Sequence, residues 1–269
     1  MSPVVSVIVP TFNSSENMRT CLESLKAQTY PDIEIIVVDN HSEDKTREIV
    51  RRFGIEPLIA GPERSSQVNL GVKRARGKYV YRVDSDFFVS KNVIKESVEH
   101  CEKYALDAIA VQNASDPSVS FWSRVRKFER DMYRSGEWNI AIRFVRREVW
   151  MKLGGLDESL VAGEDYDLHN RFVKSGYRYG FVESCELHLG EPKTLKEIAI
   201  KHYTYGKTML RYVRKDPATA AVQLSPFRIG YLRNISQFRD PALIAGLLVY
   251  QIVRYLATLA GMISEGIQE

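Results

Sequence analysis

The triplet Asp84-Ser85-Asp86 is the local pattern in this sequence that points most directly to chemistry. It follows the run YVYRV, so its two carboxylates lie in a loop at the end of a predicted strand, where both can turn toward one ligand. Carboxylate oxygens are the ligands that hard divalent cations prefer, and such a cation also binds a diphosphate. The triplet therefore indicates a metal-assisted site for a phosphorylated ligand. A solvated turn or a helix cap is the alternative that these three residues alone leave open.

Alternating strands and helices must position this triplet. Runs rich in β-branched and aromatic residues predict buried strands at Val4 to Val9, Ile33 to Val38 and Tyr79 to Val83. Apolar spacing and capping residues predict helices around Met18 to Leu25, from Ser42 to Phe53 and from Ser66 to Arg74. This order predicts an α/β fold with a mainly parallel sheet and helices on both faces, in which ligands bind beyond the carboxyl ends of the strands. Asp39 and Asp84 both follow such ends.

The later part of the chain changes character twice. Glu164 and Asp165 fall near the start of a predicted helix, Tyr166 to Val173, after a loop marked by glycines. From about Lys193 a basic, tyrosine-rich stretch runs to Asp240, and an apolar run begins at Pro241. We therefore predict three parts: an α/β domain over residues 1–192, a basic amphipathic helical region over 193–240, and a hydrophobic helix over 241–269.

Composition narrows the class of protein. The 269 residues include 38 Lys and Arg against 34 Asp and Glu, an excess too small to indicate nucleic-acid binding but compatible with phosphate-bearing ligands or an anionic membrane. Cys21, Cys101 and Cys185 are far apart, which predicts neither a disulfide framework nor a zinc site and favours a reducing compartment. The amino terminus lacks the pattern of a secretory signal peptide, so the first domain is expected in the cytoplasm.

The combined motifs resemble one enzyme family. In order, they are VSVIVPTFN, IEIIVVDNHSEDKT, NLGVKRARGKYVYRVDSDF, GLDE and GEDYDL, and together they resemble the family-2 inverting glycosyltransferases of the GT-A fold over roughly residues 4 to 206. The resemblance implies transfer of one sugar from a nucleoside-diphosphate sugar to an acceptor hydroxyl or phosphate. The stretch ERSSQVNLG is similar to membrane-associated members that build lipid-linked glycans, which implies a lipid-linked acceptor.

The resemblance also implies the residues of the site. Those implied for the donor are Pro10, Thr11, Asn13, Asp39, Gln67, Asn69, Asp84 and Ser85, with Asp39 accepting hydrogen bonds from the base. Asp86 and His188, together with Asp84, are the implied ligands of Mg²⁺ or Mn²⁺.

The resemblance assigns the proton transfer to the acidic pair. Asp165 is the implied general base, and Glu164 positions the acceptor or supports the loop. Asp167 is the alternative base, and charge compensation at a helix start is its alternative role. If the acceptor is a lipid phosphate, its oxygen is already ionised and the need for a base largely disappears.

Two features of the carboxyl-terminal part concern the acceptor. Lys201, His202 and Tyr205 resemble the region that closes over the site in family members, and an exposed amphipathic helix is the alternative. The residues from Ala242 to Ile263 are mostly apolar, and at ~1.5 Å per residue a helix of this extent covers a ~30 Å hydrocarbon layer. Basic residues and tyrosines precede this run, among them Lys207, Arg211, Arg214, Lys215, Arg228, Tyr231, Arg233 and Arg239.

These features predict attachment to the cytoplasmic face of the cell membrane. The alternative is a cytoplasmic protein in which this helix caps the core or forms a dimer contact. Three other classes of protein fit the sequence less well than the transferase. A dinucleotide-binding oxidoreductase and a sugar nucleotidyltransferase both need a glycine-rich turn after the first strand, where this chain has PTFNSS. A non-catalytic module that binds nucleotide sugars or scaffolds a membrane complex is disfavoured by Asp84, Asp86, Asp165 and His188.

Overall fold

The computed structural model describes residues 4–132, 141–225 and 239–266. Arg228, Tyr231 and Arg233 of the predicted basic stretch lie outside the described residues. The strands are β1 (Val5–Thr11), β2 (Ile33–Asp39), β3 (Leu58–Ile59), β4 (Tyr79–Arg82), β5 (Phe87–Val89), β6 (Ala108–Ser115), β7 (Phe144–Arg146) and β8 (Tyr179–His188). The helices are α1 (Met18–Lys26), α2 (Thr46–Arg52), α3 (Arg64–Arg74), α4 (Val93–Tyr104), α5 (Phe121–Asp131), α6 (Arg147–Lys152), α7 (Glu164–Lys174), α8 (Leu195–Lys215), α9 (Pro217–Gln223) and α10 (Pro241–Gly266).

One eight-stranded sheet has the order β3-β2-β1-β4-β7-β6-β8-β5. The first four strands in this order pair in parallel, as the alternation of strands and helices predicts. The pairs β4–β7, β6–β7 and β5–β8 are antiparallel, so the sheet is mixed. The predicted α/β fold is confirmed, with parallel pairing concentrated in the half of the sheet that contains β1 and β2.

Helices cover both faces of the sheet, as predicted. On one face α1, α2 and α4 bury side chains such as Leu22, Val50 and Ile94 against alternate residues of β1 and β4. On the other face α3, α6 and α7 bury side chains such as Val72 and Phe172. Both faces of the central strands are therefore apolar, which explains why β1 reads as a nearly continuous apolar run.

The chain forms two compact units. The sheet unit comprises Met1–Asn113, Ile140–Glu158 and Glu164–Gly190, and the helical unit comprises Ala114–Asn139, Ser159–Gly163 and Glu191–Glu269. The last boundary between the two units, after Gly190, lies close to the predicted end of the α/β domain at residue 192. Two earlier segments, 114–139 and 159–163, nevertheless group with the carboxyl-terminal helices, which the sequence pattern did not indicate.

Two glycines allow α8 and α10 of the helical unit to cross in backbone contact. A Cβ atom at Gly206 would lie 2.2 Å from the carbonyl oxygen of Thr258, and one at Gly261 would lie 2.1 Å from that of Tyr203. Distances this short admit no side chain at either position. Small residues at such a crossing are the usual means by which two helices approach closely.

A buried charged group joins α5 to α10. The Glu129 carboxylate is almost fully buried and pairs with Arg126 on its own helix and with Arg254 of α10, whose Nη1 lies 3.3 Å from Glu129 Oε1. Gln251 donates a hydrogen bond of 3.0 Å to the same oxygen. One side of α10 therefore packs on protein along most of its length.

The other side of α10 is apolar and exposed. Six aliphatic side chains are 40–62% exposed there: Leu248, Val249, Ile252, Leu256, Leu259 and Ile263. Among the described residues, Pro241–Glu265 is the helix that is long and apolar enough to cross a membrane by length and composition. An isolated exposed leucine is ordinary, but a continuous aliphatic stripe on one helix indicates a contact with an apolar partner.

Candidate active site

The carboxyl ends of β1 and β2 form one part of the candidate site. Thr11, the last residue of β1, is the register partner of Asp39, the last residue of β2, and Pro10 lies buried in β1 before it. The buried Asp39 carboxylate accepts hydrogen bonds from the backbone N–H and the hydroxyl of Ser42. Arg47 Nε also lies 3.7 Å from Asp39 Oδ1. A carboxylate offers about four acceptor positions, and contact of Asp39 with a base stays a prediction.

Asn13 links the loop after β1 to the loop after β2. Its backbone N–H donates to Ser42 Oγ at 2.8 Å, and its Oδ1 accepts from the N–H of Glu43 at 2.9 Å. Its φ of 46° lies in the left-handed region, which asparagine tolerates better than most residues. The adjacent Phe12 is 56% exposed at this edge of the sheet. Asn13 therefore shapes the loop in which Phe12 and Thr11 are presented.

The two predicted amide residues of α3 bond to protein groups. Gln67 Nε2 donates to the carbonyl oxygens of Thr11 and Val38, at 2.8 and 2.6 Å, and so ties α3 to the ends of β1 and β2. Asn69 Nδ2 donates to the Leu156 carbonyl and to Glu158 Oε1, both at 2.9 Å.

Contact of these two amides with the nucleotide-sugar donor stays a prediction. Each amide nitrogen has two hydrogens, and both are used within the protein. The Asn69 oxygen also accepts from the Leu156 N–H at 2.9 Å. In this structure the two amides tie α3 to the ends of β1 and β2 and to the loop at Leu156.

The Asp84-Ser85-Asp86 loop follows β4. Ser85 is buried, and its hydroxyl lies 2.8 Å from that of Ser14 in the loop after β1. The Asp84 Oδ2 atom accepts a hydrogen bond of 3.1 Å from Arg143 and lies 3.7 Å from Arg82 and 3.9 Å from Arg64. Burial by itself would raise the pKa of Asp84, but these three arginine side chains hold that pKa well below its usual value.

The arginines around Asp84 also bind two other buried acids. Arg64 donates a hydrogen bond to Glu164, Arg82 Nη1 lies 3.5 Å from the same carboxylate, and Arg143 Nε lies 3.1 Å from Glu186. The result is a network of three guanidinium groups and three carboxylates. The three positive and three negative side chains balance in number. The network therefore holds the floor of the site together and offers no surplus of positive charge to an anion.

The sequence reasoning missed Arg64, Arg82, Arg143 and Glu186. Arg82 lies within the strand run YVYRV, Arg143 precedes the strand FVR, and Glu186 lies in the strand ending CELH. Charged residues inside buried strands are rare unless they are paired. Their position in these runs was the signal that could have identified the network.

Asp86 and His188 form a close pair at the other end of the loop. His188 Nε2 lies 2.9 Å from Asp86 Oδ2, and the His188 ring stacks on Phe87 with a centroid distance of 4.8 Å. The antiparallel pairing of β5 with β8 makes Phe87 the register partner of His188, which explains how residues a hundred positions apart meet. A Cβ atom at Gly190 would lie 2.3 Å from Asp86 Oδ2, so only glycine leaves room for this carboxylate.

This pair fits one edge of a divalent cation site. An imidazole nitrogen and a carboxylate oxygen this close together can bind one ion, and both ligand types suit Mn²⁺. Within residues 4–132, 141–225 and 239–266, no group of three or more His, Cys, Asp or Glu side chains is arranged to hold a metal ion. The implied third ligand, Asp84, pairs with arginines instead, although its Oδ1 is buried without a hydrogen-bond partner in the described part of the chain. The remaining ligands of an ion bound there would then be water or the donor's phosphates.

Glu164 and Asp165 are the first two residues of α7. Glu164 is buried and engaged by Arg64 and Arg82, which are the contacts expected of a supporting residue. Burial raises the pKa of Glu164, while these arginines oppose that increase. Asp165 is half-buried, and its Oδ1 accepts from the N–H of Tyr166 at 2.8 Å. Asp165 lies in the first turn of α7, at the positive end of the helix dipole.

Asp167, the alternative base, has a structural contact. Arg171 binds its carboxylate at 2.7 and 2.9 Å and also donates to the carbonyl oxygens of Leu153 and Gly155. Asp167 thereby holds the arginine that fixes the loop before α7. This contact favours Asp165 over Asp167 as the base.

The predicted acceptor-side residues lie on α8 of the helical unit. Lys201 Nζ lies 6.0 Å from the centre of the Tyr205 ring, and the His202 ring meets Tyr205 edge to face. Burial, together with the positive charges of Arg254 and Arg126, lowers the pKa of His202 to about 3, so this histidine is neutral. Contact of these residues with an acceptor stays a prediction.

Solved structures of other proteins share this fold. The mannosyltransferase PcManGT of Pyrobaculum calidifontis, solved with GDP-Man and Mn²⁺, superposes with a TM-score of 0.67 at 16% identity, covering 100% of this chain and 88% of that one. TarS 1–349 of S. aureus, solved with UDP-GlcNAc, superposes with a TM-score of 0.55 at 18% identity, covering 97% of this chain and 89% of that one.

Sequence relatives identify the family. The chain is 27% identical over 228 residues to glycosyltransferase AglE of Haloferax volcanii, covering 78% of this chain and 74% of AglE. It covers smaller shares of several other curated relatives, from 16% to 59% of their lengths. Residues 6–155, more than half of the chain, match the model of glycosyl transferase family 2. With the strand order, the site loops and these matches in agreement, the chain belongs to glycosyl transferase family 2 and is a GT-A glycosyltransferase.

Proposed function

We propose that the chain is a metal-dependent inverting glycosyltransferase that moves one sugar from a nucleoside-diphosphate sugar to a lipid-linked acceptor. The observation that carries this proposal is the Asp86–His188 pair at the end of β8. The two atoms that could bind a metal ion, Asp86 Oδ2 and His188 Nε2, lie 2.9 Å apart. The structures of PcManGT with GDP-Man and Mn²⁺ and of TarS with UDP-GlcNAc support a nucleotide-sugar donor. A bound Mn²⁺ or Mg²⁺ would neutralise the charge that develops on the departing diphosphate.

The loops after β1 and β2 are the proposed binding site of the nucleoside. Asp39 is rigidly held by Ser42 and retains acceptor positions for N–H groups of the base. Phe12 presents an exposed ring next to Thr11 at the same edge. Gln67 contributes indirectly, because it fixes the carbonyl groups of Thr11 and Val38.

Asp165 is the proposed base for an acceptor hydroxyl. The acceptor oxygen forms a bond to the anomeric carbon on the side opposite the diphosphate, and the bond from that carbon to the diphosphate oxygen breaks with its electron pair leaving on the diphosphate. The acceptor's proton moves to Asp165, and attack from the opposite side inverts the configuration of the sugar. Glu164 stays anchored by Arg64 and so keeps the start of α7 in place.

A thermal-shift measurement tests donor binding and its metal dependence together. We expect nucleoside diphosphates to raise the melting temperature in Mn²⁺, because a ligand at 100 times its Kd adds about 2.7 kcal/mol to the free energy of unfolding. Chelation with EDTA should remove most of this increase. An equal increase with and without Mn²⁺ would contradict the metal assignment.

The acceptor class rests on the exposed stripe of α10. We propose that α10 lies in the plane of the membrane surface, since one side packs on α5 and α8 while the other presents six aliphatic side chains. Exposed basic residues of α8 accompany it in the helical unit: Lys207, Arg211, Arg214 and Lys215. Basic side chains near an apolar helical face are typical of proteins that bind anionic lipid surfaces.

Flotation with lipid vesicles tests this contact. The combined change Leu248→Gln, Ile252→Gln and Leu256→Gln should weaken vesicle binding by at least about a hundredfold, because burying each aliphatic side chain contributes ~1.5–3 kcal/mol. Phosphatidylglycerol added to phosphatidylcholine vesicles should strengthen binding of the unchanged chain. The matched control is Ile59→Gln with Met151→Gln, two similarly exposed residues of the sheet unit. The proposal fails if the triple variant floats as well as this control.

A further inference from the structure

We infer that α8 is a positioning element for the base, acting through Thr208 and the segment 159–163. Thr208 Oγ1 accepts hydrogen bonds from the backbone N–H groups of Val161 and Ala162, at 3.1 and 3.3 Å. Thr208 is itself buried on α8. One hydroxyl therefore satisfies two consecutive amides of a loop that has no regular secondary structure.

Two further contacts fasten the same segment to α8. Arg211 Nη1 lies 3.4 Å from the Ser159 carbonyl oxygen, and its Nη2 lies 3.3 Å from Glu265 of α10. Gly163 has a φ of +86°, and a Cβ atom there would lie 3.1 Å from the Tyr212 ring. The side chains of Thr208, Arg211 and Tyr212 thus hold both ends of the segment.

The segment continues directly into the acidic pair. Gly163 is joined by a peptide bond to Glu164, the first residue of α7, and Asp165 follows. Asp165 makes its own described bond only to the neighbouring Tyr166 N–H, so its carboxylate is placed by the backbone that carries it. A displacement of about 1 Å at a reacting group can lower a rate by about a hundredfold. The inference rests on the proposed role of Asp165 as base.

Threonine variants on α8 separate positioning from binding. Thr208→Val keeps the shape of the side chain but removes the acceptor, so we expect kcat for sugar transfer to fall by about tenfold to a hundredfold. The KM for the nucleotide sugar and the Kd for its nucleoside diphosphate should stay within about twofold of the values for the unchanged chain. Thr208→Ser keeps the hydroxyl and should restore most of kcat. The matched control is Thr204→Val, one turn earlier on α8, whose exposed hydroxyl bonds only to the Ile200 carbonyl of its own helix among the described contacts.

A second readout does not depend on the substrate. Deuterium uptake by the peptide covering residues 159–168 should increase in Thr208→Val and not in Thr204→Val, because the two amides lose their acceptor and the start of α7 loosens. Unchanged uptake in that peptide, wild-type kcat in Thr208→Val, or equal losses in the valine and serine variants would each overturn the inference. If Asp165→Asn transfers sugar at the wild-type rate, the proposed base fails, whereas the uptake measurement still reports whether α8 holds this segment.

Discussion

Replacing Asp86 with alanine is expected to reduce sugar transfer by at least about a thousandfold, because Asp86 is a proposed ligand of a metal ion that would contribute several kcal/mol to stabilising charge in the transition state. The Asp86 carboxylate lies 2.9 Å from His188 Nε2 and is 32% exposed, so its loss leaves the buried core unchanged. We expect the affinity for nucleoside diphosphate in Mn²⁺ to fall sharply, while the melting temperature of the free protein changes little. Initial rates and titration calorimetry measure these effects.

Gly190→Ala tests the same site without removing a ligand. The added Cβ atom would lie 2.3 Å from Asp86 Oδ2 and must displace the carboxylate, while the φ at Gly190 is outside the left-handed region. We therefore expect a higher Mn²⁺ concentration for half-maximal activity. Full activity of Asp86→Ala in EDTA would show that neither residue serves a metal.

The second large effect is expected from Asp165→Asn. Asparagine matches the shape of aspartate but cannot take a proton, so transfer to a hydroxyl acceptor should fall by at least about a hundredfold. Donor affinity should be nearly unchanged, because Asp165 is proposed to act on the acceptor. Comparing kcat with the Kd for the nucleotide sugar distinguishes this role from a structural one, in which both would change together.

Asp167→Asn is the matched control on the same helix turn. It weakens the pair with Arg171, which also binds the Leu153 and Gly155 carbonyl groups, so it should lower the melting temperature more than the transfer rate. If Asp165→Asn retains full transfer to a phosphate acceptor, that acceptor attacks in its ionised form. If Asp167→Asn shows the larger loss of kcat, the assignment of the base is reversed.

The elements that carry the site could be predicted from sequence because local periodicity fixes them. The β-branched run before Pro10 predicted β1, and the run that stops at Asp39 predicted β2. Their parallel pairing follows from the helix between them, so Thr11 and Asp39 had to meet at one edge of the sheet. The meeting of Asp86 with His188 depended on the resemblance, since no local pattern pairs β5 with β8.

The partners of these residues could not be predicted in the same way. Whether Gln67 faces a ligand or the carbonyl groups of β1 and β2 depends on the orientation of α3, which is a tertiary property. The direction of β7 is not encoded in its apolar pattern, because parallel and antiparallel strands share one period. The contacts of the segment 159–163 could not be predicted from local sequence either, because its bonds to Thr208 join residues more than forty positions apart.

The crossing of Gly206 with Gly261 makes the carboxyl-terminal helix a structural part of its unit and not a detachable anchor. Cutting the chain after Asp240 would uncover the backbone of α8 where Thr258 now lies, and would also remove Glu265, the partner of Arg211. A shortened, more soluble protein would then lose activity for reasons of folding. Separating lipid contact from catalysis therefore requires substitutions on the outer face of α10, with its inner face and length retained.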